Sequence, residues 1–279
     1  AAPVRSGRSK LSIVQGDARQ LHGDPANRGA LFQVASQFNL LEMVDYYVSP
    51  EHGVTRYESD PTQGPACAMA AGAATIFRNY LVPFHDGSIG QTSRRQINCL
   101  ADLDAALSNE SGRLWSMHNG YTLFTAEGLE QLDAHLAPLG EADIDHLRSL
   151  IRVGLHWEAD VTDVAPGHGV SQAFCSAVPV SYNQLSVPHH RWQRFATLVL
   201  EAAYEATLRA GLLNAQAGKS NVVYLTRLGG GAFGNEIGWI HEAMRRAIDL
   251  ARNWGLDVRI VSFGRPGASL QDLVSSTTG

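Results

Sequence analysis

The chain has 279 residues, 44% hydrophobic and 18% charged, which is typical of an ordered globular protein and excludes a disordered one. Its formal charge of −5 predicts no general attraction to nucleic acid or to an anionic membrane, and no run approaches the roughly 20 apolar residues of a membrane span. The three widely spaced cysteines, Cys67, Cys99 and Cys175, form neither a disulfide framework nor a CxxC zinc pair, so we expect buried thiols in a reducing compartment. The opening AAPVRSGRSK has no apolar core and predicts no signal peptide.

Short, almost continuously apolar runs predict strands buried on both faces, and apolar residues at helical spacing predict helices between them. In chain order, the predicted elements are strands at Leu11–Val14 and Gly29–Ala35, helices at Pro65–Leu81, Cys99–Leu107 and Ala126–Leu139, strands at Arg152–Trp157 and Ser171–Val180, a helix at Phe195–Ala210 ending at Gly211, a strand at Asn221–Thr226, a helix at Ile237–Asn253 and a strand at Leu256–Phe263. This alternation predicts a three-layer α/β/α sandwich with a mixed sheet. We interpret residues 1–279 as one domain, with a more polar helical insertion at about 85–150.

A glycine-rich segment follows the predicted strand at Asn221–Thr226. Its sequence, VVYLTRLGGGAFGN, places four glycines between Gly229 and Gly234, ahead of a predicted helix. Glycines let backbone N–H groups approach an anion closely beside the positive end of a helix, which predicts a phosphate-binding loop. The spacing matches neither Walker A nor the GxGxxG fingerprint. The alternative is a tight turn with positive φ, for which one glycine is sufficient.

Polar side chains also stand at the ends of the first two predicted strands. Asp17 follows the first strand, where a carboxylate can accept a hydrogen bond from a ligand amine or cap the next helix. Gln33 lies inside an apolar run, where a buried amide must find partners. Asn39 and Glu42 follow this apolar run. Binding sites of open α/β sheets lie at such strand ends, so both residues are candidates for a site. The alternative is that they have only a structural role in the loop.

The segment Tyr57–Pro65 combines two acids, two prolines and a glycine directly before an alanine-rich helix. Asp60 and Gln63 can face a ligand from this position. Equally, Asp60 or Thr62 can cap the helix.

Other site patterns are missing from the sequence. There is no HExxH motif and no GxSxG elbow, and His189-His190 after a proline is typical of loop surface, so we expect no metal site and no cofactor.

The order of these motifs resembles the macrodomain family, the ADP-ribose-binding α/β/α fold. LSIVQGDARQL is similar to its opening strand and Gly-Asp, GALFQVASQFNLLEM to the strand that carries its VNAAN segment, SDPTQGPACAMAAG to its first phosphate loop, VVYLTRLGGGAFGN to its second, and VRIVSF to its closing strand. The resemblance covers about residues 10–84 and 150–264. Two departures are Gln33 in place of the usual asparagine and a first loop without the triple glycine.

The sequences of these segments are most similar to those of the arginine-specific, MavL-like ADP-ribosyl hydrolase macrodomains. The resemblance implies metal-independent removal of ADP-ribose from protein arginines, ubiquitin being one such protein, in the cytoplasm or as a secreted effector in a host cytosol. It implies that Asp17 contacts the adenine amine of ADP-ribose and that Phe263 lies beside the adenine. The implied contacts with the diphosphate are Gly229, Gly230, Gly231, Ala232, Gly234 and Asn235, and those with the distal ribose are Phe233, Gln33 and Asn39. The resemblance places Thr62, Gln63 and Gly64 on the opposing wall. Core packing explains Phe263 equally well.

Cleavage at an anomeric carbon needs a carboxylate that activates water. Asp60 is our first candidate, with Glu42 and Glu58 behind it and Glu236 as a further one. The main alternative is a reader that binds ADP-ribose without cleaving it. A poly(ADP-ribose) glycohydrolase ranks third, because such enzymes carry adjacent glutamates and no Glu-Glu pair occurs in this chain.

Overall fold

A six-stranded mixed sheet organises the computed structural model, which describes residues 7–109 and 111–278. Residues 1–6, to which the prediction about a signal peptide partly applies, lie outside the described residues. The strands are β1 (Lys10–Gln15), β2 (Leu31–Ala35), β3 (Trp115–His118), β4 (Tyr121–Phe124), β5 (Gly154–Asp160), β6 (Gly169–Cys175), β7 (Val222–Leu225) and β8 (Asp257–Ser262). The large sheet has the order β1-β8-β7-β2-β6-β5. Its strands are parallel except β5, which runs antiparallel to β6 at the edge, while β3 and β4 form a separate hairpin.

Helices cover both faces of this sheet. They are α1 (Ala18–Gly23), α2 (Gln63–Ala70), α3 (Gly72–Ile76), α4 (Ala101–Ala106), α5 (Ala126–Leu136), α6 (Glu141–Ser149), α7 (Gln193–Gln216), α8 (Ile237–Leu250) and α9 (Ala268–Thr278). In β2, Leu31 belongs to the core beneath α7 and α8, whereas Phe32 and Val34 face the α1 and α2 side. Because alternate side chains of one strand are buried on opposite faces, its sequence is apolar throughout. This is the predicted three-layer α/β/α sandwich with a mixed sheet, and the fold class is confirmed.

Two predicted helices differ from the observed ones. The helix predicted to end at Gly211 continues to Gln216, and Gly211 lies inside α7 where a Cβ atom would overlap the Val223 side chain. Glycine is therefore placed there for close packing of helix on sheet and does not terminate the helix. The helix predicted at Pro65–Leu81 is interrupted at Ala71 and resumes as α3, which leads into a π-helical turn at Phe77–Leu81.

The segment 85–150 is not only helical. Besides α4 and α5, which the sequence predicts, it contains the β3–β4 hairpin and the helix α6, which it does not. The C-terminal helix α9 was also not predicted. The three cysteines are free and buried, as expected.

Candidate functional site

A two-lobed cleft lies at the carboxyl ends of the parallel strands, where sites of open α/β sheets are found. The large lobe has a volume of about 680 Å³ and the small lobe about 250 Å³. They share the lining residues Pro61, Gln63, Thr226, Arg227 and Gly231, so they form one continuous cleft. Its walls come from the ends of β1, β2, β7 and β8 and from the loops that follow them.

The glycine-rich loop after β7 lines both lobes. Gly229 and Gly234 both have φ of +71°. A Cβ atom on Gly229 would lie 2.5 Å from Ala177 Cβ, and one on Gly234 would overlap the Ser181 side chain. These two glycines therefore set the shape of the loop, since both the positive φ and the close contacts exclude a side chain.

The middle of the loop presents unused backbone donors. Within the described part of the chain, the N–H groups of Gly231, Ala232 and Phe233 donate to no acceptor, and all three residues line the large lobe. A Cβ atom on Gly231 would meet nothing within 4 Å. Successive free amides of this kind bind anions, so the arrangement supports the predicted phosphate-binding loop.

Asn235, predicted to contact the diphosphate, holds the loop in place and does not line the cleft. Its Nδ2 donates to Val178 O at 2.8 Å and its backbone N–H donates to Gly229 O at 3.0 Å. The side chain is buried. Its predicted role in ligand binding is corrected to one in loop structure.

The small lobe carries both residues predicted for the adenine. Asp17 Oδ1 caps α1 by accepting from Arg19 N at 2.8 Å and Gln20 N at 3.1 Å, and the residue also lines the lobe. The structure thus contains the cap that the sequence allowed and leaves a ligand contact available. Phe263 follows β8 and is 78% exposed on the lobe wall. That exposure excludes core packing as the reason for this phenylalanine.

The wall opposite the glycine-rich loop is the segment that ends at the first turn of α2. Thr62, Gln63 and Gly64 all line the large lobe, as predicted from the resemblance. The Gln63 amide is occupied by the backbone of β2: Oε1 accepts from Ala35 N and Nε2 donates to Gln33 O, both at 2.9 Å. Gln63 therefore fixes this wall to the sheet.

The carboxylates predicted as bases have three different environments. Asp60 is half-buried on the wall of the large lobe, where its Oδ1 accepts from Thr62 N at 2.9 Å and Thr62 Oγ1 at 2.6 Å. Its Oδ2 accepts no hydrogen bond from residues 7–109 or 111–278 and can accept one from water or a substrate. Glu58 is exposed and does not line the cleft, and Glu236 pairs with His189 at 2.6 Å away from both lobes. Glu58 and Glu236 are therefore not placed to act on a ligand in the cleft.

Glu42 lies at the floor of the large lobe but is committed to an ion pair. Both carboxylate oxygens are 2.9 Å from Arg78 Nη2, and the glutamate side chain is fully buried. Burial raises the pKa of Glu42 to about 7, and the Arg78 charge opposes that shift. This geometry corrects the prediction of Glu42 as a base, because an enclosed carboxylate bound by a guanidinium on both oxygens has no free position for water.

Gln33 and Asn39 were predicted at the distal ribose, and neither lines the cleft. Gln33 lies on the α7 face of β2, where Nε2 donates to Thr207 Oγ1 at 2.9 Å and Oε1 accepts from Thr226 N at 3.2 Å. Asn39 is fully buried and donates to Gln96 Oε1 at 2.8 Å. Both amides therefore stabilise the fold, and the prediction that they contact the ligand is corrected.

Four cleft residues that carry a cation or an aromatic ring were not predicted. Arg227 lines both lobes and Arg56 lines the large one, and neither forms an ion pair with any residue that the structure describes. Arg227 stands two residues before Gly229, so its position near the glycine-rich loop was readable from the sequence. Tyr121 and Tyr182 also line the large lobe, with ring centroids 5.5 and 5.6 Å from that of Phe233. They come from distant segments, and no local pattern marks them.

No group of three or more His, Cys, Asp or Glu side chains is placed to hold a metal ion among the residues that the structure describes. In those same ranges, no helix has the length and apolar character needed to span a membrane.

The chain was compared with known proteins. No protein-family model and no curated protein matches it. A poly(ADP-ribose) glycohydrolase from Thermomonospora curvata is similar in structure, with 14% identity, a TM-score of 0.46, and coverage of 99% of this chain and 79% of that one. The Oceanobacillus iheyensis macrodomain with MES bound gives 12% identity, a TM-score of 0.41 and coverage of 99% and 93%. A mutant of that macrodomain with ADPR gives 13% identity, a TM-score of 0.39, and coverage of 99% of this chain and 94% of that one.

Proposed function

We propose that this protein is an ADP-ribosyl hydrolase that removes ADP-ribose from arginine side chains of proteins by cleaving the N-glycosidic bond. The observation that carries the proposal is the row of three free amides, Gly231 to Phe233, across the cleft from Asp60. The amides suit a diphosphate, and Asp60 suits a reaction at the sugar beyond it. The choice of arginine as the linked residue comes from the family resemblance of the sequence.

The two lobes fit the two ends of such a ligand. Asp17 and the exposed Phe263 ring give the small lobe a hydrogen-bond acceptor and a flat apolar surface, as an adenine requires. Arg227, at the boundary of the lobes, supplies a cation beside the diphosphate. The large lobe is then left for the distal ribose and the group attached to it, with the rings of Tyr121, Tyr182 and Phe233 on its wall.

The reaction requires the protein to position the substrate and to supply one base. Departure of the guanidine leaves positive charge on the ribose, in the manner of an oxocarbenium ion, and a nearby carboxylate stabilises that charge. The linked guanidine is a strong base whose conjugate acid has a pKa above about 12, so it is already protonated in the substrate and leaves as neutral guanidine without a dedicated general acid. Asp60 Oδ2 takes the proton from the attacking water, while Thr62 holds Oδ1 and so orients the carboxylate.

The decisive experiment compares Asp60→Asn with Glu58→Gln on substrates that carry ADP-ribose on arginine, serine or glutamate. Both variants remove one negative charge from the same segment, but only Asp60 lines the cleft. We expect Asp60→Asn to lower release from arginine by about 10²–10⁴-fold, the usual contribution of a positioned base, with ADP-ribose affinity changed only a few fold. Glu58→Gln should release ADP-ribose at the wild-type rate.

Each alternative gives a different result. Wild-type protein that binds ADP-ribose and releases none from any of the three substrates is a reader. Faster release from serine or glutamate than from arginine contradicts the proposed linkage. Equal activity of Asp60→Asn and Glu58→Gln contradicts the role of Asp60.

A further inference from the structure

An exposed aromatic segment stands at the mouth of the large lobe. Residues 43–47 begin on the lobe wall, where Met43 and Val44 line it, and continue outward. Val44 is 51% exposed and Tyr47 is 73% exposed. The segment therefore connects the inside of the cleft with the surrounding surface.

Side chains from other parts of the chain fix the backbone of this segment. Tyr121 Oη donates to Met43 O at 2.6 Å, Tyr182 Oη to Val44 O at 3.3 Å, and Asn119 Nδ2 to Tyr46 O at 2.7 Å. Side chains from elsewhere thus hold three of its five carbonyl groups, and Val48 N donates to a fourth, Asp45 O, at 3.0 Å. The exposed side chains are carried on an ordered backbone, so little conformational entropy is lost when a partner covers them.

The outermost ring is itself held in place. Tyr46 and Tyr47 have ring centroids 4.1 Å apart and share a hydrogen bond of 2.8 Å between their hydroxyls, and Asp45 Oδ1 accepts from Tyr47 N at 3.1 Å. Inward, the Tyr46 centroid is 6.3 Å from that of Tyr121, which is 5.5 Å from that of Phe233. A continuous row of aromatic rings therefore runs from the glycine-rich loop to Tyr47 on the surface.

We propose that Tyr47, with Val44 beside it, is the docking surface for the polypeptide whose side chain carries the ADP-ribosyl group. The inference rests on the proposed function, because it takes the occupant of the cleft to be attached to a protein. A modified side chain that enters the large lobe brings its own backbone to the mouth, and the row of rings leads from the lobe to Tyr47. Rigid tyrosines supply large contact area at low entropic cost, as they do in other recognition surfaces.

The test compares two substrates of the same linkage: ubiquitin ADP-ribosylated on arginine, and ADP-ribosyl-agmatine, which lacks a polypeptide. Tyr47→Ser removes the ring at a position that does not line the cleft. We expect kcat/KM on the modified ubiquitin to fall about 10-fold, the size typical of an interface hot spot, and kcat/KM on the small substrate to stay within about twofold of wild type. Tyr47→Phe should keep most of the activity on ubiquitin, since it keeps the ring.

Leu213→Ser is a matched control on α7, because Leu213 is 54% exposed, in the range of Val44 and Tyr47. This variant should leave kcat/KM unchanged on both substrates. Unchanged activity of Tyr47→Ser on ubiquitin overturns the inference, and so does an equal loss on both substrates, which would show that Tyr47 acts on the cleft itself.

A binding measurement separates this inference from the proposed function. If the wild-type protein cleaves neither substrate, hydrolysis fails as a function, but its affinities for modified ubiquitin and for free ADP-ribose can still be compared by calorimetry. A loss of about 10-fold for modified ubiquitin alone in Tyr47→Ser then supports the docking surface. Equal affinities of wild type and variant for modified ubiquitin refute it.

Discussion

The ion pair between Glu42 and Arg78 beneath the large lobe makes a strong prediction about stability. Only 5% of the arginine side chain and none of the glutamate side chain is exposed. Arg78 Nε also donates to Leu40 O at 2.8 Å, and its Cζ lies 3.7 Å above the centre of the Phe174 ring. Glu42→Gln would remove the carboxylate that pairs with this buried cation.

We expect Glu42→Gln to lower the free energy of unfolding by about 3–5 kcal/mol, the usual result of leaving one member of a buried pair without the other. The opposite deletion should be milder. A guanidinium does not deprotonate in proteins, whereas a buried carboxyl without its partner can take up a proton. Arg78→Met should therefore cost less than Glu42→Gln, because loss of the Arg78 charge lets burial raise the pKa of Glu42 further and the carboxyl takes up a proton.

The double variant, Glu42→Gln with Arg78→Met, removes both charges and replaces the guanidinium with a flexible apolar side chain. Its loss should be smaller than the sum of the two single losses, because it leaves no uncompensated charge. Urea denaturation of the four proteins at pH 8, where Glu42 is ionised in the folded wild type, measures all three differences. The assay is completed by the release of ADP-ribose per folded molecule, which should be close to wild type in Glu42→Gln.

Two results would refute this reasoning. If Glu42→Gln is as stable as wild type within about 1 kcal/mol, the buried charge of Arg78 is compensated in some other way. If the folded variant has lost its turnover while Asp60→Asn has kept it, Glu42 is the catalytic carboxylate and the ion pair opens during the reaction.

Two further predictions concern the ligand. Asp17→Ala should weaken ADP-ribose binding by about 1–3 kcal/mol in calorimetry, and an equal weakening of ribose 5-phosphate binding would instead identify Asp17 as only a helix cap. Gly231→Glu should abolish ADP-ribose binding while the thermal midpoint persists, whereas Gly140→Glu, also at a position with nothing within 4 Å, should bind normally; unchanged affinity of Gly231→Glu would remove the anion site from the loop.

The parts of the fold predicted from the sequence are those with a strong local pattern. The unbroken apolar run of β2 predicts burial on two faces, and α8 has apolar residues at helical spacing, so both lie near their predicted bounds. The ends of α7 were not predictable in this way. Gly211 is a usual helix terminator in sequence, and only the nearby Val223 explains why glycine is required inside the helix.

Within the site, the direction in which a side chain points was harder to predict than the position of its residue. Gln33 stands on a strand that reaches the cleft, but the pleat turns it to the α7 face, where Thr207 receives its hydrogen bond. Sequence alone does not assign the two faces of a strand buried on both sides. Tyr121 and Tyr182 are 61 residues apart in sequence and meet at the large lobe with ring centroids 5.0 Å apart. Such a pairing depends on tertiary packing and has no local signal.

The glycine-rich loop shows how a conformational requirement and a ligand requirement can be separated within one motif. A tight turn explains Gly229 and Gly234, whose positive φ and close neighbours exclude a side chain even in the free protein. It does not explain Gly231, which has open space around it and adopts no positive φ. The fold accepts a side chain at that position, so the need for glycine there comes from what approaches the amides of Gly231, Ala232 and Phe233. This argues that the loop is shaped for a bound anion as well as for a turn.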